Sequence, residues 1–296
     1  MQNSSQYAIG LTLAGLSSSL LHCESAQERS LDEGSQDPEE IFFKISLAQW
    51  SLHRTLFDGP MDNLDFPQVA QNTFGISAVE WVNQFFADKA EDMAYLTDMK
   101  NRCDNEGVQS LLIMIDGEGN LGATDSAERT QAVENHFKWV DAAKDLGCHS
   151  IRVNAAGSGS AEEVQQAAVD GLGQLAEYAS SVQLNVLVEA NCGTLPDFGN
   201  FCIEEGPDDC ADMYDRYQGV RELMPFAKAV SAKSHDFNAE GQEVHTDYAQ
   251  MMQIVKDAGY TGYVGIEYEG QEVSEEQGIQ LTKDLLLRVG RQLANT

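Results

Sequence analysis

From Ile41 onward, short apolar runs alternate with segments in which apolar residues recur at helical spacing. Short apolar runs are typical of buried strands, and apolar residues three or four positions apart are typical of helices packed on a sheet. The pattern predicts eight strands: Phe43–Gln49, Ala78–Val82, Gln109–Ile115, Ser150–Asn154, Asn185–Glu189, Gly193–Asp197, Ala229–Ser234 and Tyr263–Glu267.

Helices are predicted between most of these strands. They are Phe66–Thr73, Asp88–Glu106, Ser126–Leu146, a helix after the capping box of Ser160 and Glu163, Asp212–Leu223, Asp247–Ala258, and a last helix capped by Ser274 and Gln277. Strands that alternate with helices favour a parallel α/β fold, and eight strands close a (β/α)8 TIM barrel. The residues after the first strand, QWSLHRTLF, contain no glycine-rich turn, so a dinucleotide-binding sheet is not indicated.

The connection between the fifth and sixth predicted strands is unusually short, because only three residues separate Glu189 from Gly193. A parallel crossover needs about a dozen residues, usually including a helix. We therefore predict a TIM barrel that lacks the helix between strands five and six. Either strand six is shortened and shifted, or Asp197 misses the site. We also expect Val186 and Val188 to lose their cover, which would weaken stability and metal binding.

The N-terminal segment differs from the rest of the chain. Ala8–Leu21 is an apolar run of signal-peptide length, so residues 1–23 are interpreted as a signal-peptide-like segment. Export to the periplasm, lipidation at Cys23 and an uncleaved disordered tail in the cytoplasm are the alternatives. Residues 24–40 are acidic and lack aromatic residues, which predicts a disordered linker, and residues 41–296 form the barrel domain.

The chain is strongly acidic. It has 18 basic and 48 acidic residues, a net charge of −30, which disfavours nucleic acid as a partner. No apolar run is long enough to span a membrane. Six cysteines occur without a CxxC pair, so a structural zinc site is not indicated. Cys202 and Cys210 are close enough to form a disulfide after export, although buried or free thiols are the preferred interpretation.

Metal-ligand side chains occur at the ends of four consecutive predicted strands: Glu189, Asp197, His235 and Glu267. Active sites of (β/α)8 barrels lie at the carboxyl ends of the strands, so we expect these four residues to meet. Three carboxylates and one imidazole suit Mn²⁺, Mg²⁺ or Co²⁺ better than a structural zinc ion. A hydrogen-bonded rim without metal is the alternative.

Other residues at strand ends are candidates for the substrate wall. They are Trp50, His53, Glu80, Arg152, Asn154 and Lys233. A lysine and an arginine in this position are suited to hold sugar hydroxyls or an acid group, but each is equally suited to a buried ion pair. No sequence feature marks a phosphate cradle.

Four segments resemble the metal-site motifs of the sugar phosphate isomerase/epimerase family, the xylose isomerase-like TIM barrels: VLVEAN, GTLPDFGNF, AKSHDFN and GIEYEG. The resemblance implies that Glu189, Asp197, His235 and Glu267 bind one divalent ion and that Glu189 and Glu267 are the acid/base pair. It implies a sugar or keto-acid substrate, deprotonated beside its carbonyl to an enediolate that the metal stabilises.

Other functions of the same barrel stay open. The enediolate can also eliminate a group, which would make the protein a lyase or dehydratase acting on a keto-sugar. The short connection after Glu189 is also compatible with a degenerate, non-catalytic sugar-binding barrel. A DNA-repair endonuclease is disfavoured by six histidines and the net charge of −30. A homo-oligomer is a further expectation that the sequence does not test.

Overall fold

The computed structural model of the chain describes residues 41–188, 193–205 and 210–295. The predicted signal-like segment, the acidic linker and Glu189 lie outside these residues. The strands are β1 Lys44–Ala48, β2 Ala78–Val82, β3 Gln109–Met114, β4 Ser150–Val153, β5 Asn185–Val188, β6 Cys202–Glu205, β7 Cys210–Met213, β8 Val230–Ser234 and β9 Tyr263–Tyr268. The α-helices are α1 His53–Phe57, α2 Phe66–Phe74, α3 Met93–Glu106, α4 Ser126–Leu146, α5 Ala161–Ser181, α6 Arg216–Leu223, α7 Tyr248–Asp257 and α8 Glu275–Ala294.

Capping residues determine where several helices begin and end. The Asp125 carboxylate accepts hydrogen bonds from the backbone amides of Ala127 and Glu128, which starts α4, and Gly147 ends it in the left-handed conformation. The predicted capping box of Ser160 and Glu163 starts α5. These caps are local, which is why the sequence located both helices.

Seven parallel strands form one curled sheet in the order β5-β4-β3-β2-β1-β9-β8. The gap between β5 and β8 is spanned by residues 193–198, which form parallel bridges between Val188 and Thr194, Thr194 and Ala227, and Asp197 and Ser231. This segment occupies the position of the sixth barrel strand, shortened to isolated bridges, which is the first of the two alternatives that the short connection left open.

The expected exposure of Val186 and Val188 is wrong. They are 6% and 2% exposed and belong to the outer hydrophobic core together with Val220 and Met224. Helix α5 also packs against β5. These valines are therefore buried without a helix directly after β5, and the helix that packs against the strand is α5, which precedes it.

Two helix starts also differ from the sequence analysis. The side chain of Asp92, not of Asp88, caps α3, and residues 83–89 form 3-10 turns. The predicted helix Asp212–Leu223 begins only at Arg216. Residues 212–213 instead belong to β7, which pairs antiparallel with β6.

A disulfide joins Cys202 and Cys210 across this hairpin, so the preference for free thiols is wrong for that pair. Cys103 and Cys148 are free and buried, as predicted. Burial raises the pKa of both thiols, which makes them inert hydrophobic residues rather than nucleophiles.

The barrel has an apolar outer layer, whereas its interior contains both apolar and charged side chains. Strand residues that face outward pack against the helices, whereas Val82, Leu112, Met114, Leu187 and Leu195 form a smaller inner cluster. Inward positions of the same strands also carry charged side chains, which define the site described below. No helix within the described part of the chain is long and apolar enough to cross a membrane.

Candidate active site

A cavity of about 270 Å³ opens at the carboxyl ends of the strands. Its lining includes five residues that the sequence analysis named: Trp50, Arg152, Asn154, Lys233 and Glu267. It also includes four polar residues that the sequence analysis missed: Gln84, Asp116, Asn200 and Glu269. The cavity therefore gathers residues from strands β2, β3, β4, β8 and β9 around one space.

One side of the cavity, here called the lysine side, consists of Lys233, Glu267, Glu269 and the adjoining Asp197. The Lys233 Nζ atom lies 3.2 Å from Glu269 Oε1, 3.4 Å from Glu267 Oε1 and 3.8 Å from Asp197 Oδ2. The Lys233 side chain is 5% exposed. Strand alternation points Ser231 and Lys233 inward from β8, and Lys233 lies in register with Glu267 of β9.

The Glu267 carboxylate is held at both oxygens. The Ser231 hydroxyl donates to Oε2 at 2.7 Å, and the Lys233 ammonium faces Oε1. Glu267 is 5% exposed yet lines the cavity. A buried carboxylate that reaches a cavity in a fixed orientation is suited to exchange a proton with a bound molecule.

Asp197 is buried beside Lys233 and stabilises the turn that follows it. Its Oδ1 accepts hydrogen bonds from the backbone amides of Gly199 at 2.6 Å and Asn200 at 2.9 Å. Its Oδ2 faces Lys233 and also lies 3.5 Å from the side-chain amide nitrogen of Asn200. The shortened sixth strand thus still brings Asp197 to the site.

His235 lies just beyond β8 and pairs with Glu269, their Nε2 and Oε2 atoms being 3.6 Å apart. This contact raises the pKa of His235. Burial would raise the pKa of Glu269, but its bonds to His235 and Lys233 outweigh burial and lower that pKa to about 2. Glu269 is therefore the anion that joins the histidine to the lysine side.

The opposite side, here called the arginine side, consists of Arg152, Asp116 and Asn154. Asp116 Oδ1 accepts hydrogen bonds from Arg152 Nη1 at 3.0 Å and from Asn154 Nδ2 at 2.7 Å. Two hydrogen bonds with the Asn83 side chain fix the Asp116 backbone. This rigid group of charged and amide side chains is suited to bind hydroxyl groups.

Trp50 supplies an apolar wall to the cavity, and Phe85 lies 6.2 Å from its ring. His53 stacks on Trp50 with 4.9 Å between ring centroids, but it does not line the cavity. Its Nδ1 lies 2.8 Å from the Trp50 carbonyl oxygen. The structure places His53 where it orients Trp50 rather than where it meets a ligand.

Glu80 is fully buried inside the barrel and does not line the cavity. The Ser46 hydroxyl donates to its Oε1 at 2.6 Å, and its Oε2 has no hydrogen-bond partner among the described residues. Burial, with a contribution from the negative charge of Glu267, raises the pKa of Glu80 to about 7.

The four predicted metal ligands are only partly brought together. Asp197 and Glu267 face the same ammonium group, His235 pairs with Glu269, and Glu189 lies outside the described residues. Within residues 41–188, 193–205 and 210–295, no three His, Cys, Asp or Glu side chains are arranged to hold a metal ion. Because a lysine ammonium stands between the carboxylates, the described donors do not fit a divalent ion as arranged.

Two of the missed residues had a signal in the sequence. Glu269 follows Glu267 by two positions and so shares its face, and Asp116 lies two residues beyond the end of β3. The strand-end rule that selected Glu267 would have found both. Asn200 and Gln84 lie in loops, where no periodic pattern indicates which way a side chain points.

Solved structures similar to this chain include several sugar epimerases. L-ribulose 3-epimerase is 14% identical, with 86% of this chain and 97% of that chain covered and a TM-score of 0.64. The 3-keto-D-glucoside 4-epimerase YcjR from E. coli is 13% identical, with coverage of 83% and 99% and a TM-score of 0.62. At these identities the similarity shows the fold.

A xylose isomerase-like TIM barrel protein from Mycobacterium smegmatis, in complex with magnesium, is also similar. It is 13% identical, with 84% of this chain and 97% of that chain covered and a TM-score of 0.60. No curated protein matches the sequence significantly. The family described as xylose isomerase-like TIM barrel matches residues 68–217, just over half of the 296 residues. The chain therefore belongs to the xylose isomerase-like TIM barrel family.

Proposed function

We propose that this protein is a sugar isomerase or epimerase that transfers a proton at the carbon beside a carbonyl group. The observation that carries the proposal is the Glu267 carboxylate, buried, fixed by Ser231 and Lys233, and exposed to the cavity. The sugar epimerases among its structural relatives support the same class of reaction.

In this proposal the two sides of the cavity have different tasks. Glu267 on the lysine side removes the C–H proton of the bound sugar, and Glu189 is proposed as the second acid/base group. Arg152 and Asn154 on the arginine side hold sugar hydroxyls, and Trp50 contacts the apolar face of the ring. Three lining carboxylates, those of Asp116, Glu267 and Glu269, favour a sugar without a phosphate group.

Dependence on Mn²⁺, Mg²⁺ or Co²⁺ bound by Glu189, Asp197, His235 and Glu267 stays a prediction of the sequence. Such an ion would act as a Lewis acid toward the carbonyl and hydroxyl oxygens of the substrate. The magnesium complex of the Mycobacterium smegmatis relative supports it, whereas the position of Lys233 argues against it.

A screen of ketoses and keto acids in deuterated water, with and without added divalent metal, tests the proposed function. We expect loss of one substrate C–H signal in NMR spectra. Glu267→Gln keeps the side-chain shape but removes the proton acceptor, so exchange should slow by about 10²- to 10⁴-fold. Glu276→Gln, at an exposed position in the first turn of α8, is the matched control and should exchange normally.

Other outcomes of the screen would change the assignment. Undiminished exchange by Glu267→Gln would remove Glu267 from the acid/base role. Loss of water or another leaving group would favour a lyase or dehydratase, and binding without exchange would favour a degenerate sugar-binding barrel.

Export of the protein is likewise proposed, with the Cys202–Cys210 disulfide as its support, because disulfides persist in oxidising compartments. A homo-oligomer stays a prediction that light scattering of the purified chain would test.

A further inference from the structure

We propose that the ammonium group of Lys233, rather than a divalent ion, is the cation that stabilises the reacting oxygen of the substrate. This inference rests on the proposed isomerase or epimerase function and assigns the electrophile of that same site.

The Lys233 ammonium group lies where a metal ion would have to bind. Lys233 Nζ lies within 3.8 Å of carboxylate oxygens of Asp197, Glu267 and Glu269, and it also lines the cavity. A positive charge is thus already at the point where the carboxylates converge, and a second cation placed there would be repelled.

The carboxylate oxygens of Glu267 and Asp197 already face donors. Glu267 Oε2 accepts from the Ser231 hydroxyl, and Asp197 Oδ1 accepts from two backbone amides. The remaining oxygen of each carboxylate faces Lys233. A metal ion bound here would therefore compete with a hydroxyl, two amides and an ammonium group for the lone pairs of these oxygens.

The inward positions of β8 carry Ser231 and Lys233, neither of which is an imidazole or a carboxylate. His235, the metal ligand that the sequence predicted here, lies beyond the strand and pairs with Glu269. Of these three residues, Lys233 alone lines the cavity, so this strand presents an ammonium group to it.

The proposed step needs no further reagent. Glu267 takes the proton from the substrate carbon, the electron pair of that C–H bond moves toward the carbonyl carbon, and the carbonyl oxygen becomes negatively charged. An N–H group of Lys233 donates a hydrogen bond to that oxygen and keeps its proton. Return of a proton to carbon restores the carbonyl group, so atoms and charge balance. A fixed donor at the developing oxyanion acts in the manner of an oxyanion hole.

The experiment compares Lys233→Met, Lys233→Arg and the control Lys144→Met, which removes an exposed charge in the last turn of α4. Mn²⁺ binding is measured by electron paramagnetic resonance. We expect weak binding by wild type, Lys144→Met and Lys233→Arg. Lys233→Met should bind Mn²⁺ at least about tenfold more tightly, because removing the ammonium leaves the carboxylates without their counter-ion. Circular dichroism verifies that each variant is folded.

Substrate exchange is then measured after dialysis against EDTA. Wild type and Lys144→Met should keep their exchange rates, and Lys233→Met should lose about 10²- to 10³-fold, a loss that added Mn²⁺ does not restore. Tight Mn²⁺ binding by wild type, or wild-type exchange that EDTA abolishes and Mn²⁺ restores, would overturn the assignment of Lys233. Absence of exchange under every condition would count against the proposed function, and the Mn²⁺ titration would still decide which cation the site holds.

Discussion

Two glutamates inside the barrel, Glu80 on β2 and Glu267 on β9, begin from almost the same arrangement. Each points inward, and each accepts a hydrogen bond from a serine hydroxyl, Ser46 at 2.6 Å and Ser231 at 2.7 Å. Their second oxygens differ. Glu267 Oε1 faces the Lys233 ammonium and the cavity, whereas Glu80 Oε2 is sealed in without a hydrogen-bond partner among the described residues.

The difference shows that the chemical role of a glutamate inside the barrel depends on the side chains around it. Burial dominates at Glu80 and raises its pKa to about 7, so the carboxyl group loses its proton only near neutral pH. It contributes a polar group to the barrel interior but cannot reach a substrate. Glu267 lies beside the Lys233 ammonium and lines the cavity, so it is the glutamate suited to acid/base catalysis.

The largest expected effect is the response of Glu80→Gln to pH. The folded-state pKa of about 7 lies above the ordinary value of 4.5, so the unfolded chain loses this proton first as pH rises. Glu80 therefore lowers stability progressively between these two values, by about 3 kcal/mol once pH exceeds 7. Glu80→Gln cannot ionise and should be more stable than wild type by about this amount at pH 8.5.

Urea unfolding at pH 5 and pH 8.5 measures this effect. At pH 5 the variant and wild type should have similar unfolding free energies, since Glu80 is then protonated in the folded protein. An advantage of the variant that is equal at both pH values would mean that Glu80 does not titrate in this range. The comparison between the two carboxylates would then lose its physical basis.

The serine hydroxyls give a second, smaller contrast. Ser46→Ala removes a hydrogen bond from a carboxyl group that has no other partner here, which should cost about 2 kcal/mol of unfolding free energy. Ser231→Ala leaves Glu267 its contact with Lys233, so the loss should be about 1 kcal/mol. Urea unfolding at pH 6 compares the two variants. Equal losses of unfolding free energy would show that the contact with Lys233 does not make Glu267 less dependent on its serine than Glu80 is.

The sequence located most of the regular elements because their signals are local. Predicted Ser126–Leu146 coincides with α4, whose caps are adjacent in sequence, and the strand at 78–82, apolar except for Glu80, is buried throughout. Helix prediction failed at Asp212, where pairing with β6 and the Cys202–Cys210 disulfide impose an extended hairpin. That constraint joins two segments whose cysteines are 8 residues apart, and it leaves no helical or strand periodicity in the sequence.

The site was predictable in its parts but not in its arrangement. Strand ends identified Asp197, Lys233 and Glu267, and two of these, Lys233 and Glu267, line one cavity. The meeting of the lysine with three carboxylates depends on the registers of strands far apart in the chain. Because strand register also decides which glutamate reaches the cavity, the sequence could not distinguish the fully buried Glu80 from Glu267, which lines the cavity.

The smallest expected effect concerns the space that Glu80 occupies. Gly265 lies in register between Ser46 and Ser231, and a Cβ atom there would come within 2.5 Å of Glu80 Oε1. Gly265→Ala should therefore crowd the Glu80 side chain and cost about 1 kcal/mol of unfolding free energy.

Gly173→Ala is the matched control, because nothing lies within 4 Å of a Cβ atom at that position in helix α5. Alanine in a helix interior should stabilise the protein by up to about 1 kcal/mol. The two alanine substitutions are thus expected to have opposite signs in urea unfolding. If Gly265→Ala were also stabilising, Glu80 would have room to move inside the barrel. Its isolation from the cavity would then not be a fixed property of the fold.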